Sequence, residues 1–162
     1  EKSLNKKKLS NFVYFAINFL FYTGFNLYFS NIISHKLLNG WQLSTPLFDL
    51  VYIKNTGAAF SLLQNSTTFL IILSLIAFLA IFYFVIKDLK TLRMKEILFI
   101  SFLMSGIFGN LYERMFFGYV IDFFDLTFVN FPIFNISDIF INIGVIGIMI
   151  LILLSKKQRK NE

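Results

Sequence analysis

Four long apolar runs constrain this chain more than any other feature of its sequence. They cover residues 9–33, 69–86, 97–112 and 133–154. A helix needs about 20 apolar residues to cross the hydrocarbon core of a membrane. The first and last runs meet that length and the second is just adequate, whereas the third is short, which indicates that its end meets a polar site. We therefore predict an all-α membrane protein, with four transmembrane helices in one domain over residues 1–162.

Composition agrees with a membrane protein and excludes several kinds of chemistry. Of the 162 residues, 57% are hydrophobic and 15% are charged, whereas soluble domains carry roughly 25% charged residues. This leaves too little polar surface for a disordered or nucleic-acid-binding protein. The chain has no cysteine and one histidine, so disulfides, cysteine zinc sites and a Ser-His-Asp triad are excluded. We predict no metal and no cofactor.

Basic residues are distributed unevenly between the two ends of the spans. Twelve of the fifteen lie in the N-terminal arm, the loop at residues 87–95 and the C-terminal tail; the others are Lys36, Lys54 and Arg114. The positive-inside rule then predicts that both termini and the middle loop are cytoplasmic. We therefore interpret the net charge of +6 as the signal that orients the spans, and we expect the basic residues to contact anionic membrane lipids. The first run follows lysines, as a signal peptide does, but it is too long and lacks a small-residue cleavage site, so we interpret it as a retained span.

The two segments on the opposite side hold the unusual polar residues. Residues 48–53 and 119–124 are rich in β-branched and aromatic side chains, which predicts short strands on the membrane surface. Residues 39–41 (NGW) predict a turn with an interfacial aromatic anchor. We interpret His35, at the end of the first span, as interfacial and inert.

Two aspartates of these segments are candidates for catalysis. Asp138 lies at the mouth of the fourth span, where an ionisable residue is costly and by default functional; the alternative is a helix cap, with Asn135 or Ser137 as the N-cap and Asp138 in the first turn. Asp122 lies in an apolar strand-like run that gives a carboxylate no structural role, whereas Asp125 suits a solvated turn. Two carboxylates that meet can share one proton, so that one is a general base on water and the other a general acid.

Other polar residues surround these aspartates in the sequence. Residues 55–60 form a small-residue stretch, which is either a place where backbone approaches a substrate closely or a plain turn into the second span. Arg114, near the end of the third span, has three possible roles: snorkelling to the interface, pairing with Glu113, or binding a carbonyl or a headgroup. Asn110 lies four residues before Arg114, so the two share one helical face.

Four motifs follow one another in a fixed order: residues 55–60 (NTGAAF), 109–114 (GNLYER), 118–123 (GYVIDF) and 134–138 (FNISD). Together with the four spans and their orientation, they resemble the lipoprotein signal peptidases (signal peptidase II), which are aspartic membrane peptidases of bacteria. The resemblance covers the chain from about Asp49 to its end.

The resemblance implies an endopeptidase that removes signal peptides from diacylglyceryl-modified prolipoproteins, cleaving just before the lipid-bearing cysteine. It implies Asp122 and Asp138 as the catalytic pair. The positions that it implies for binding the substrate or supporting the aspartates are Asn55, Gly57, Asn110, Arg114 and Asn135. It also implies a small extracytoplasmic β-cradle, a short periplasmic helix and inhibition by globomycin-type peptides. We expect a monomer in the bacterial inner (cytoplasmic) membrane, with its site near the outer face.

The chain departs from the family pattern in three places. The family carries an Asp-Gln-x-x-Lys-like signature in its first span, whereas residues 23–27 here read TGFNL. We expect this to remove a polar support beneath the site, with an effect on stability or substrate preference. Glu113 stands where the family has aspartate, and Ser137 where it has alanine.

Two other functions stay open at this point. A small ion-coupled carrier also has four spans and a membrane acid, although it would place that acid mid-span, facing a dimer axis. The second is a family member that binds lipopeptides without cleaving them, which the departure in the first span permits.

Overall fold

The computed structural model describes residues 2–57 and 65–160, which contain four long helices. Helix α1 spans Lys2–Leu38, α2 Thr67–Asp88, α3 Met94–Phe117 and α4 Ile136–Lys160. All four are long and apolar enough to cross a membrane. Many of their large apolar side chains are exposed, as expected for surfaces that face lipid rather than water. The predicted arrangement of four spans is confirmed.

Helix α3 is longer than the third apolar run at residues 97–112. Helix α3 continues past residue 112 to Phe117, because Glu113 and Arg114 are buried and bonded inside the protein. The protein thus supplies the partners that lipid does not. The related expectation, that this helix end meets a polar site, is confirmed.

The fourth span begins at Ile136 rather than at residue 133, because Asn135 caps the helix. The Asn135 Oδ1 accepts the Asp138 N–H at 3.0 Å, and the Asp138 Oδ2 accepts the Asn135 N–H at 3.1 Å. This is the reciprocal capping-box arrangement, with aspartate in the third helical position. The helix cap that the sequence offered as an alternative reading of Asp138 is therefore present.

A three-stranded antiparallel sheet packs against α1 and α3, at the end away from the α2–α3 loop. Its strands are β1 (Leu43–Ser44), β2 (Phe48–Asn55) and β3 (Val120–Leu126), in the order β1-β2-β3. Both predicted strands are confirmed, whereas the two-residue β1 has no signal in the sequence. The predicted turn at residues 39–41 is also found, with Gly40 at a φ of +84°.

The short periplasmic helix that the resemblance implies is not found among residues 39–57, 65–66 and 118–135 of the outward segments. Residues 58–64 lie outside the described residues.

Helices α3 and α4 pack with their backbones close together. A Cβ added to Gly144 would lie 2.6 Å from the backbone nitrogen and Cβ of Leu103. A Cβ added to Gly106 would run into the Ser137 carbonyl oxygen. Small residues of this kind let membrane helices approach closely, and here they bring the start of α4 against the polar end of α3.

An apolar cluster fastens the sheet to this end of the helices. Its buried members are Leu50, Ile121, Phe123, Ile136 and Phe140. They come from β2, β3 and the start of α4, so both aspartate-bearing elements share one core.

Candidate active site

The two aspartates lie on neighbouring elements because the chain folds back between them. Phe134 pairs with Phe124 of β3: the Phe134 N–H donates to the Phe124 carbonyl at 3.2 Å, and the Phe124 N–H donates back at 2.9 Å. This pairing sets Asn135, the cap of α4, beside β3. These backbone hydrogen bonds bring the segments that carry Asp122 and Asp138 together.

Three asparagine amides join the two carboxylates into one hydrogen-bonded network. The Asp122 Oδ2 accepts from Asn55 Nδ2 at 2.8 Å, and its Oδ1 accepts from Asn135 Nδ2 at 3.1 Å. The Asn135 Nδ2 also donates to Asn110 Oδ1 at 3.1 Å, and Asn110 Nδ2 donates to Asp138 Oδ1 at 2.9 Å. Asn135 thus contacts both aspartates, through its side chain and through its backbone N–H. Neutral donors orient the carboxylates without neutralising them.

The register of the sheet places Asn55 on Asp122. Between Leu50 and Ile53, β2 contains one residue more than β3, so Asn55 lies opposite Val120. Its side chain is then on the same face as Asp122, one diagonal position away. Without this bulge Lys54 would occupy that diagonal position. The bulge thus selects a neutral amide over a cation as the partner of the carboxylate.

Burial makes Asp122 a weak acid. The residue is 4% exposed, and this desolvation raises the pKa of Asp122 from 3.8 to about 7. The hydrogen bond from Asn55 opposes the increase, while the charge of Asp138 adds to it. An acid with a pKa near 7 is suited to hold a proton at neutral pH and to release it during a reaction.

Arg114 is a buried brace rather than a snorkelling cation. It is 9% exposed, and its Nη2 donates to the Gly57 carbonyl at 2.9 Å. The Gly57 N–H in turn donates to Asn55 Oδ1 at 2.9 Å. Of the three roles considered for Arg114, the structure supports carbonyl binding, and it links α3 to the end of β2. The Arg114 Nη1 also lies 3.4 Å from the backbone oxygen of Asn110, on the shared helical face.

Glu113 holds the strand that carries Asp122. Its Oε2 accepts the Ile121 N–H at 2.8 Å, next to Asp122 in the chain. In the part of the chain that the structure describes, the salt bridge is between Arg93 and Glu96, so Glu113 does not pair with Arg114 as one reading of the sequence proposed.

The polar support expected to be lost from the first span is present in another form. Asn26, 1% exposed, donates from its Nδ2 to Ser137 Oγ at 2.8 Å, and Ser30 Oγ lies 3.4 Å from Asn26 Oδ1. Gly109 makes room for this contact, since a Cβ there would collide with both Asn26 and Ser137. Asn26 lies in the first-span stretch and Ser137 just before Asp138, so two positions where the sequence departs from the pattern that the resemblance implies meet in one hydrogen bond. Sequence reasoning missed it because the partners are far apart in the chain.

A cavity of about 650 Å³ opens beside the network. Its polar end is lined by the two aspartates together with Asn55, Asn110 and Arg114. From there it runs along α4 as far as Ile150, with Phe99 of α3 on the other side. Twelve residues of helix from Asp138 to Ile150 correspond to about 18 Å, so the cavity offers a long apolar groove that ends at two carboxylates.

The remaining sequence candidates lie apart from this network. Asp125 lies opposite Asp49 in the register of β2 and β3, nearer the other end of β3. His35 is exposed on α1 and contacts Asn39. Within residues 2–57 and 65–160, no group of three or more His, Cys, Asp or Glu side chains is arranged to hold a metal ion.

Comparison with known proteins gives this geometry a context. The family model described as signal peptidase (SPase) II matches residues 19–154. This chain belongs to the signal peptidase II family. Three relatives, each named lipoprotein signal peptidase, illustrate the similarity. That of Enterococcus faecalis is 39% identical over 114 residues, which is 68% of this chain and 68% of the relative.

The relatives from Clostridium novyi and Microcystis aeruginosa give similar figures. The first is 38% identical over 115 residues, covering 69% of this chain and 77% of the relative. The second is 40% identical over 104 residues, covering 64% of this chain and 66% of the relative. The aligned part of the chain thus spans about two thirds of the length of some of these signal peptidase II family members.

Solved structures support the family fold over most of the chain. Two described as bacterial membrane enzymes, determined by the in meso method, align with TM-scores of 0.77 and 0.74 at 30% and 32% identity. They cover 89% and 86% of this chain, and 92% of each solved chain is covered. This member of the signal peptidase II family is therefore a multi-pass membrane protein with the architecture of a membrane enzyme.

Proposed function

We propose that this protein is an aspartic endopeptidase that removes signal peptides from diacylglyceryl-modified prolipoproteins, cleaving just before the lipid-bearing cysteine. The observation that carries the proposal is the network in which Asn135 contacts both Asp122 and Asp138. Family membership supports the substrate class, and the groove of about 650 Å³ supports a substrate with a long apolar part.

The difference in exposure between the two carboxyls supports different roles for them, one as general acid and the other as general base. Asp122 is the more deeply buried of the pair, so a proton on it avoids the costlier of the two buried charges. Asp138 lines the cavity at the helix end and is the base that receives a proton from water.

The proposed reaction needs only these two groups and one water. As Asp138 takes a proton, the water oxygen bonds to the carbonyl carbon, and the Asp122 proton moves to the carbonyl oxygen. In the second step the C–N bond breaks: the nitrogen takes the proton from Asp138, and one hydroxyl of the intermediate returns its proton to Asp122. The carboxyls thus end as they began, and the products are an acid and an amine.

The test is cleavage of a diacylglyceryl prolipoprotein by the purified protein. We expect Asp122→Asn and Asp138→Asn each to lower kcat by at least a factor on the order of 10²–10⁴, because an amide cannot relay a proton. Asp125→Asn is the matched control, since it also removes one carboxylate from β3, and it should cleave normally. Turnover retained in either of the first two variants would exclude the pair.

The same assay separates the alternatives. A protein that binds lipopeptides without cleaving them would retain the substrate intact in the wild type. Membership of a peptidase family and the position of Asp138 at the end of its span argue against an ion-coupled carrier, which needs its acid within the membrane. A globomycin-type peptide should block cleavage by competing for the groove.

A further inference from the structure

One polar side chain interrupts the apolar groove below the two aspartates. Past Asp138, α4 lines the cavity with Ile139, Ile141, Asn142, Ile143, Ile146, Gly147 and Ile150. Asn142 is the sole polar side chain in that set, and it is exposed. An exposed amide at this depth is costly in lipid, so it calls for a partner.

The protein satisfies only part of the hydrogen-bonding capacity of Asn142. Its Nδ2 donates to the Asp138 carbonyl at 2.9 Å. A carboxamide has a second N–H and an oxygen that accepts, and the described residues provide no hydrogen bond to either. One donor and one acceptor are therefore free on a side chain that lines the cavity.

A bound peptide substrate has backbone groups that can pair with this free N–H and this free oxygen of Asn142. At the scissile bond the substrate backbone cannot be helical, because both carboxyls must reach its carbonyl group. Each backbone N–H and C=O that leaves the helix inside an apolar groove costs several kcal/mol unless it is paired. A side-chain amide matches a peptide group, since it accepts from the N–H and donates to the C=O.

We propose that Asn142 is a substrate-positioning residue that hydrogen-bonds the extended backbone of the bound signal peptide. This inference rests on the proposed function. Asn142 follows Asp138 by four residues, which is about 6 Å along the helix and about two residues of extended peptide. The part of the substrate at that depth is the signal peptide, on the N-terminal side of the cleaved bond, because the proposed site lies at the outer end of the spans.

The experiment combines one protein variant with one change in the substrate. Synthetic lipopeptides carry either an amide or an ester at the second residue before the cleaved bond, since an ester removes the N–H and weakens the acceptor. We expect Asn142→Leu to raise KM for the amide substrate about three- to tenfold, the size of one hydrogen bond, with kcat within about twofold of wild type. The ester should raise KM for the wild type by a similar factor and add no further loss in Asn142→Leu.

Two controls make the result specific. Asn31→Leu removes an exposed asparagine of α1 that lines a separate cavity of about 430 Å³, and it should leave KM unchanged. A substrate with ether-linked chains lacks the lipid carbonyls; if it, rather than the backbone ester, abolishes the Asn142→Leu effect, the partner is the lipid and the proposal is wrong.

The outcomes also separate this inference from the function on which it rests. Absence of wild-type cleavage of the amide lipopeptide would remove the proposed function and this contact with it. Wild-type cleavage with equal KM values for Asn142→Leu and wild type, or with additive losses, would overturn the contact alone. Thermal melting of Asn142→Leu in detergent confirms that the variant is folded.

Discussion

The individual residues of the candidate site are two aspartates surrounded by asparagine amides. Within the described residues, the hydrogen bonds to the Asp122 carboxyl come from Asn55 and Asn135. An arginine or lysine in those places would favour the ionised form by charge as well as by hydrogen bonding. Neutral donors hold the carboxyl in position while leaving its burial to dominate its pKa.

Arg114→Lys tests whether the buried guanidinium acts as a brace. Arginine reaches both Gly57 and Asn110, whereas the single ammonium of lysine lacks the planar fork. We expect a folded protein with a lower kcat/KM. The decrease should correspond to a loss of about 1.5–3 kcal/mol in transition-state stabilisation, the value of a hydrogen bond to a charged group. Arg93→Lys, at an exposed arginine paired with Glu96, is the control. Equal activity of the two variants would return Arg114 to the role of an anchor.

The raised pKa of Asp122 makes stability depend on pH. The folded protein holds this proton up to about pH 7, whereas the unfolded chain releases it near 3.8. Stability from this group is therefore fully present below pH 3.8 and is lost as pH rises through 7, by on the order of 4 kcal/mol.

Asp122→Asn removes that dependence, since an amide stays neutral. We expect the melting temperature of Asp122→Asn minus that of wild type, in detergent, to increase from pH 4 to pH 8. Taking this difference cancels any constant cost of the substitution. A difference that does not change with pH would contradict the assignment of a buried, protonated carboxyl.

At the scale of the elements, the α3–α4 contact decides how closely the two aspartates are held. Leu103 backbone atoms limit the space at Gly144, and backbone cannot move aside as a flexible side chain does. We expect Gly144→Ala to destabilise the protein by about 1–3 kcal/mol, the usual cost of overpacking, measured as a lower melting temperature.

Gly24→Ala is the matched control in another span. Nothing lies within 4 Å of the position its Cβ would take, and alanine favours helix. Its melting temperature should stay at or slightly above the wild-type value. A similar loss in both variants would mean that glycine matters here for reasons other than helix contact.

The whole molecule has a polar end and a basic end. The sheet, the amide network and the mouth of the groove lie at one end of the helices, and the loop at residues 89–93 lies at the other. We expect reporter fusions after Lys90 and Lys157 to be cytoplasmic and one near Gly40 to be external, because most basic residues lie with the first two. A cytoplasmic signal at Gly40 would place the active site on the wrong side of the membrane for exported lipoproteins.

Much of this molecule follows from local sequence. Apolar runs predicted the four spans because burial in lipid is a property of each segment alone. The strands at residues 48–53 and 119–124 followed from their β-branched and aromatic content. The polar residues of the site were identified singly, because each is a costly exception within an apolar context.

The tertiary structure decided which of these residues meet. A bulge in β2 places Asn55 rather than Lys54 beside Asp122, and no local pattern marks that extra residue. Asn26 and Ser137 are 111 residues apart, and their contact depends on the space left by Gly109. The pKa of Asp122 likewise comes from burial by elements distant in sequence. Sequence alone determined which segments enter the membrane, since that depends on each segment's own solvation; packing determined the site, since hydrogen bonds and desolvation depend on neighbours from other parts of the chain.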